Sequence, residues 1–297
     1  MRSLLETKRI VALNELLTLA LLATLTFGLI ALIWWLFIAS EGVYLGRRTV
    51  IWLYDLFAQR YDDVKNFDRI YEHALLAQPI LERIAPHRAP LVLDVATGTG
   101  RLPLALLNHK QFQGRVIGVD LSRRMLHSAA AKLYDERDRA HLMWCPAEDL
   151  PFADNTFDVV TSLEAMEFMT DPKAALHELI RVLRPGGLLF ISNRINTKVM
   201  PGKTWDRDTL GELLVEYGIA EADLEPWQAD YDRVWAVKDG EADPTGARPL
   251  GEILRCPCCP ASLMVEQRGV WVCELCKGEA KTSTDGVIEM YRLQQRC

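Results

Sequence analysis

The sequence predicts an α/β chain, with one long apolar helix ahead of the α/β region and a small all-β unit behind it. Three observations carry that prediction. Leu16 to Ala39 run 24 residues without a charge, LVLDVATGTG at 91–100 leads on to a second apolar run, VIGVD at 116–120, and Cys256-Pro-Cys-Cys259 with Cys273-Glu-Leu-Cys276 places two C-x2-C pairs near the C-terminus. A chain of 297 residues accommodates one span, one α/β domain and one ribbon. The expected boundaries are an N-terminal segment at 1–45, the α/β domain at 46–238, a linker at 239–250 and the ribbon at 251–297. The net charge is −6, and residues 251–297 balance six Lys or Arg against six Asp or Glu, so there is no basic footprint for nucleic acid.

The apolar run at 16–39 is rich in Leu, Ala and Ile and closes with Trp34 and Trp35. At about 1.5 Å per helical residue it spans about 36 Å, enough for a hydrocarbon core of about 30 Å. The apolar region of a signal peptide is only about 7 to 15 residues long. A buried core helix is the other alternative, but no polar face interrupts the run, and a transmembrane helix at about 16–39 is the expectation. Flanking charge does not orient it: Arg2, Lys8 and Arg9 precede the run, and Arg47, Arg48 and Arg60 follow it. After the span, Val50, Ile51, Leu53, Tyr54, Phe57, Ala58 and Tyr61 recur at helical spacing. Such a helix can lie on the bilayer surface, cap an active site or simply pack on its own domain.

Leu91, Val92, Leu93 and Val95 predict a strand, Thr97 to Gly100 a glycine-rich turn, and Leu102 to Leu107 a helix starting near Arg101, with Pro103 tolerated in its first turn. An ordinary strand-to-helix turn would look similar. A dinucleotide fingerprint needs a third glycine where this chain has Pro103, and it does not call for an acid on the strand, where Asp94 stands. A carboxylate before the loop suits a cationic ligand, and Asp120 at the tip of the next strand can accept from ribose hydroxyls. S-adenosylmethionine (SAM), with its sulfonium, ammonium and ribose, fits both acids.

Five motifs in order extend the argument: YDLFAQRYD at 54–62, LDVATGTG at 93–100, GVDLSRRML at 118–126, PAEDLPFADNTFDVVTS at 146–162 and RVLRPGG at 181–187. Over roughly residues 50–238 the chain resembles class I SAM-dependent methyltransferases, and within them the ubiquinone/menaquinone C-methyltransferase-like group. The resemblance implies a doubly wound, seven-stranded Rossmann-like sheet holding SAM across the carboxyl ends of its strands. It places Asp94, Ala96, Gly98 and Gly100 along the methionine part, Asp120 and Leu121 at the ribose, Ala147 and Glu148 at the adenine edge, and Tyr61 over the site. Two positions depart from the family pattern. Ala96 stands where a glycine is usual, and Pro146 where an acid meets the adenine, leaving Glu148 or Asp149 to substitute.

VKDGEADPTGARPLGE at 237–252 is rich in Gly, Pro and acids and reads as a linker. Beyond it, Cys256, Cys259, Cys273 and Cys276 supply four thiolates for a structural zinc ion, and LMVEQRGVWV reads as two strands around an Arg-Gly turn. Disulfides are the rival, disfavoured by a cytoplasmic location, and Cys258 is an alternative to Cys259 as ligand. The segment from LRCPCCPASL to TDGVIEM resembles the small zinc-ribbon activator of methyltransferases.

The functional expectation is a methyltransferase anchored to the cell membrane by one span, with SAM and structural Zn2+, acting on a small lipophilic acceptor such as a quinone precursor or a lipid. Because SAM is a cytoplasmic metabolite, the catalytic domain is expected on the cytoplasmic side. Two alternatives stay open: a protein or RNA substrate docked through the ribbon, and a SAM-binding scaffold without turnover. Glu164, Glu167, His177, Asn193 and Arg194 fall in the segments after the fourth and fifth strands, but none is singled out as a catalytic base.

Overall fold

The computed structural model describes residues 2–65, 67, 69–195, 198 and 200–297, with backbone alone for residues 2–12 and Arg69. The chain forms two compact units, Met1–Val50 and Ile51–Cys297.

In the first unit, α1 (Arg2–Trp34) continues into a π-helical turn at Trp35–Ala39. Leu13–Ala39 covers 27 residues, long and apolar enough to cross a bilayer; its most apolar stretch has a mean hydropathy of 2.5, and none of that stretch is buried. The hydroxyls of Thr18, Thr24 and Thr26 donate to the carbonyls of Asn14, Ala20 and Leu22 at 2.8 Å, so these polar groups are satisfied inside the helix. Ser40 ends it by donating its hydroxyl to the carbonyls of Trp35 and Leu36, and Trp35 stacks on Tyr44 at 4.9 Å.

The helix expected across Val50 to Tyr61 is two helices, α2 (Arg47–Phe57) and α3 (Tyr61–Lys65). The turn between them lets Asp55 and Asp62 reach different loops. Asp55 accepts from the Ser122 hydroxyl at 2.6 Å and Asp62 from the Thr99 hydroxyl at 2.5 Å. Next, α4 (Arg69–Glu72) and α5 (Gln78–Arg83) flank a π turn at His73–Ala77.

The α/β core follows as β1 (Leu91–Val95), α6 (Arg101–Leu107), β2 (Arg115–Asp120), α7 (Arg123–Lys132), β3 (Ala140–Trp144), β4 (Phe157–Ser162), α8 (Pro172–Val182), β5 (Leu183–Arg194), α9 (Arg207–Glu216), β6 (Ile219–Gln228) and β7 (Tyr231–Lys238). The helices begin where the sequence caps them. Ser122, Asp171 and Asp206 accept from the N–H groups of Met125, Ala174 and Thr209, satisfying donors left free by the first turn. The seven expected strands run in the order β3-β2-β1-β4-β5-β7-β6, parallel through β5 and antiparallel at β7 and β6. Every residue of β1 and β4 is buried, as a sheet covered on both faces requires. Leu76, Ile80, Leu102, Leu106 and Leu126 pack on one face, and Leu176, Leu179, Leu210 and Leu214 on the other.

The C-terminal segment forms β8 (Arg255–Cys256), β9 (Cys259–Gln267), β10 (Val270–Cys273), β11 (Glu279–Lys281), β12 (Val287–Ile288) and α10 (Met290–Gln294). Strands β8 to β11 make a separate antiparallel sheet. The β9–β10 hairpin turns at Arg268 and Gly269, both at positive φ (54° and 79°), which is the geometry a two-residue hairpin favours. The large sheet has one strand more than expected, because β12 pairs in parallel with β3, Val287 opposite Leu142 and Ile288 opposite Met143. The ribbon core is also continuous with the α8–α9 face, Leu254, Met264, Trp271 and Leu293 joining the same buried cluster. Arg123 on α7 binds Asp285 through both terminal nitrogens (2.7 and 2.9 Å), and Gln294 donates to the Asp149 carbonyl at 2.7 Å.

The stretch read as a linker has no helix or strand from Asp239 to Pro249, yet it is fixed in place. The buried Asp158 carboxylate accepts from the N–H groups of Leu91, Thr245 and Gly246 and from Arg184. Burial pushes its pKa up, but these donors outweigh burial and hold it below the ordinary carboxylate value.

Candidate functional site

The site is built at the carboxyl end of β1. Asp94 is the last residue but one of that strand, and the chain then turns through Ala96 to Gly100 into α6. Ala96 sits at φ +57°, a left-handed conformation that costs an alanine but not a glycine. This explains why glycine is the usual residue of the family at that position. Gly118 on β2 has no room for a side chain: a Cβ there would lie 2.9 Å from Leu142 and 3.0 Å from Thr97, so its absence lets the loop close down on β2. The loop is held there by the Thr97 N–H donating to the Val119 carbonyl at 2.9 Å.

Asp94 accepts from the hydroxyls of Thr97 and Thr161, both at 2.6 Å. Burial pushes its pKa up to about 6, the two hydroxyls pull it down, and the nearby Asp120 charge adds to the rise. Asp120, at the end of β2, accepts from the N–H groups of Gly98 (2.8 Å) and Ser122 (2.7 Å), and burial raises its pKa to about 6 as well. Two carboxylates that would gain from a cation therefore bracket the glycine loop.

A cleft beside this loop is lined by Asp94, Ala96, Thr97, Gly98, Thr99, Leu102 and Leu163 and walled by Tyr61, Phe67, Arg101 and Glu164. Of the expected cofactor residues, Tyr61, Asp94, Ala96 and Gly98 line it. Asp120 joins them through Gly98. Gly100 does different work: it stands at φ +81° where α6 begins, and a Cβ would approach Ala129 to 3.2 Å, so it serves helix packing. The Leu121 carbonyl accepts from the Trp144 indole at 2.9 Å. Ala147 is half-buried against the core. Glu148 accepts from the Thr170 N–H at 3.1 Å, and Asp149 accepts from Gln294, so both acids adjacent to Pro146 hold other elements in place.

A charged network at the cleft wall was missed at the level of sequence. Arg101 donates to Glu72 at 2.5 Å and to Glu164 at 2.9 Å, lies 4.4 Å over the Phe67 ring, and shares Glu164 with Lys65 at 2.9 Å. Burial pushes the Glu164 pKa up, but Lys65 and Arg101 outweigh it and keep the carboxylate below its ordinary value. Glu164 is thus held as an anion. Glu167 is buried and accepts from the Tyr231 hydroxyl at 2.5 Å. Asn193 donates to the Trp205 carbonyl, and His177 is exposed on α8 with its ring against Tyr217. The only sequence signal for the network is a charged residue directly after Gly100.

The sulfurs of Cys256, Cys259, Cys273 and Cys276 lie within 4.8 Å of one another, with Cys256 and Cys276 at 3.6 Å. Four thiolates at about 2.3 Å from one zinc ion sit about 3.8 Å apart, so the set fits a closed tetrahedral site. Cys258 is not part of it. It forms a disulfide with Cys297, which leaves Cys259 in the cluster and puts the rival disulfide chemistry outside it.

With this geometry in hand, comparison with known proteins is direct. Residues 93–191 match the family described as "Methyltransferase domain". The demethylmenaquinone methyltransferase of Lactiplantibacillus plantarum is 37% identical over 139 residues, 46% of this chain and 59% of that protein. The ubiquinone/menaquinone biosynthesis C-methyltransferase of Roseobacter denitrificans is 34% identical over 158 residues, 51% of this chain and 60% of that protein. The chain thus spans about three fifths of the length of these relatives. Among solved structures, the complex between the Haloferax volcanii Trm112 methyltransferase activator and a protein described as a methyltransferase aligns at a TM-score of 0.50 with 23% identity, covering 63% of this chain and 98% of that one, a likeness of fold. The glycine loop between two buried acids therefore lies in the stretch that matches the methyltransferase-domain family, in a chain similar over about half its length to menaquinone and ubiquinone C-methyltransferases.

Proposed function

We propose that this chain is a membrane-anchored, SAM-dependent methyltransferase whose acceptor is a lipophilic quinone precursor. The observation that carries the reading is the pair of buried carboxylates, Asp94 and Asp120, on either side of the Thr97–Gly100 loop. When bound, SAM would supply the methyl group from its sulfonium, leaving as the neutral thioether, and the methylated carbon would release its proton to solvent. The residues of this chain bind and align. Asp94 would hold the cationic methionine end and Asp120 the ribose, while Tyr61 and Phe67 wall the cleft from the helical side. Alignment of this kind contributes several kcal/mol to a displacement reaction. Glu164 is committed as an anion to Lys65 and Arg101, so no residue is assigned as base.

The relatives' names support the acceptor class, and the apolar helix at Leu13–Ala39 supports an anchor, with the catalytic domain on the cytoplasmic side where SAM is made. Cys256, Cys259, Cys273 and Cys276 would hold a structural zinc ion. The ribbon acts as a built-in stabiliser of the methyltransferase domain, a role supported by its strand β12 on β3. The test is transfer of labelled methyl from SAM to demethylmenaquinone in phospholipid vesicles by the full-length protein. Labelled quinone with the native chain and none with Asp94→Ala is the expected result. SAM binding that survives Asp94→Ala unchanged would remove the cofactor assignment, and label in protein instead of lipid would move the acceptor to a macromolecule.

A further inference from the structure

Six large apolar side chains stand out on the surface of the second unit: Trp52, Leu56 and Phe57 on α2, Val64 on α3, and Ile70 and Tyr71 on α4, each 48–78% exposed. They fall within 20 residues of chain. Elsewhere in that unit, among the described residues, exposed large apolar side chains are scattered, as on ordinary protein surfaces. The cluster is unusual because the same helices turn polar groups inward. Asp55 and Asp62 are spent on Ser122 and Thr99, while Arg60 stays exposed beside the apolar residues. An exposed surface bearing Trp, Phe and Leu beside an arginine has the apolar composition of a helix that lies in a membrane interface.

We infer that the outer surface of α2–α4 docks on the lipid bilayer and forms the entrance by which a lipophilic acceptor passes from the membrane to the cleft. The inference rests on the membrane-anchored reading above and goes beyond it by assigning a surface. Ile51 follows Ala39 by twelve positions, a reach of at most about 43 Å, so a chain anchored at Leu13–Ala39 keeps the start of this segment within that distance of the bilayer. The inner side of the same segment is aromatic. Tyr54 lies 5.6 Å from Phe168 and 6.1 Å from Tyr61, and Tyr61 lies 5.9 Å from Phe67, which lines the cleft with Asp94. Tyr54, Tyr61 and Phe67 thus carry a run of aromatic rings from this segment to the cleft.

The test uses the full chain with p-benzoylphenylalanine in place of Leu56, Ile70, Leu25 or Val215, one at a time, reconstituted in vesicles of phosphatidylcholine and phosphatidylglycerol with labelled acyl chains. Leu25 reports the span, and Val215, 71% exposed on α9, is an apolar surface position outside the cluster. On irradiation, lipid label is expected at Leu25, at Leu56 and at Ile70, several-fold above Val215. Label at Leu25 but only background at Leu56 and Ile70 leaves the anchor standing and overturns the docking surface. Absence of label at Leu25 overturns the anchor and the docking surface together. Crosslinks from Leu56 to protein instead of lipid overturn the inference in favour of a protein partner.

Discussion

Asp94 and Asp120 make the clearest predictions. Each holds its proton to about pH 6 in the folded protein, against the ordinary 3.8, because burial disfavours the charge. In the ligand-free protein each contributes stability below about pH 4 that is lost as the pH rises through 6. A cationic ligand reverses the preference, so SAM affinity should rise with pH through 6, approaching tenfold per unit for one coupled carboxylate, with proton release measurable by calorimetry in buffers of different ionisation heat. A pH-independent affinity between 5 and 7 would count against both carboxylates as ligands. At the neighbouring position, Ala96→Gly relieves a left-handed alanine and should raise stability by about 1 kcal/mol, read as an upward shift in Tm. The acids and the loop were legible from the sequence because they are local and their spacing is short. Thr161, Glu164 and Lys65 were not, because Thr161 reaches Asp94, Glu164 reaches Arg101 and Lys65 reaches Glu164 from distant elements, and only the fold brings them together. Glu148 shows the converse limit. Motif position puts it at the adenine edge and says nothing of the N–H of Thr170, ahead of α8, from which its carboxylate accepts.

Among the elements, β1, β2, the hairpin at Arg268–Gly269 and the start of α6 could be read directly, since alternation, turn residues and capping are encoded over a few positions. The bend between α2 and α3 could not, because the apolar spacing of Val50 to Tyr61 suits one helix and only Asp55 and Asp62, each with its own loop, require two. Strand β12 was equally hidden: two residues have no periodicity, and their partner β3 lies more than a hundred residues earlier. Asp158 joins three elements, β4, the start of β1 and the stretch 245–246. Asp158→Ala leaves several buried donors unpaired and should cost about 3–5 kcal/mol, measurable by urea denaturation. Because its folded pKa is depressed, its contribution is present above about pH 4 and lost as the pH falls below the ordinary carboxylate value. The pair of Arg123 and Asp285 is smaller in scope. Arg123→Ala should cost about 1.5–3 kcal/mol and raise hydrogen exchange at 282–288, with β1 unaffected.

Across residues 51–297, the continuous core through Leu254, Trp271 and Leu293 joins the ribbon and the α/β domain in one buried cluster, which predicts that they unfold as one cooperative body. Removal of metal by a strong chelator should therefore lower the Tm of the α/β sheet as well as that of the ribbon, in one transition followed by both near-UV dichroism and exchange at β3. Two separate transitions would show that the shared core does not couple them. The sequence indicated two modules with a linker. It could not indicate that the linker is pinned or that the second module completes the first one's sheet, since both depend on contacts between segments far apart in the chain.

The pairing of β12 with β3 has a consequence for stoichiometry. An unpaired sheet edge is a docking template open to any suitable strand, and a covering strand on a separate chain would be shared out by affinity and abundance. Here the strand that covers the edge is tethered to the domain it covers, at an effective concentration that a diffusing competitor does not match. Every molecule synthesised carries its own covering strand in a fixed one-to-one ratio, so closure of this edge does not wait on the concentration of a second chain.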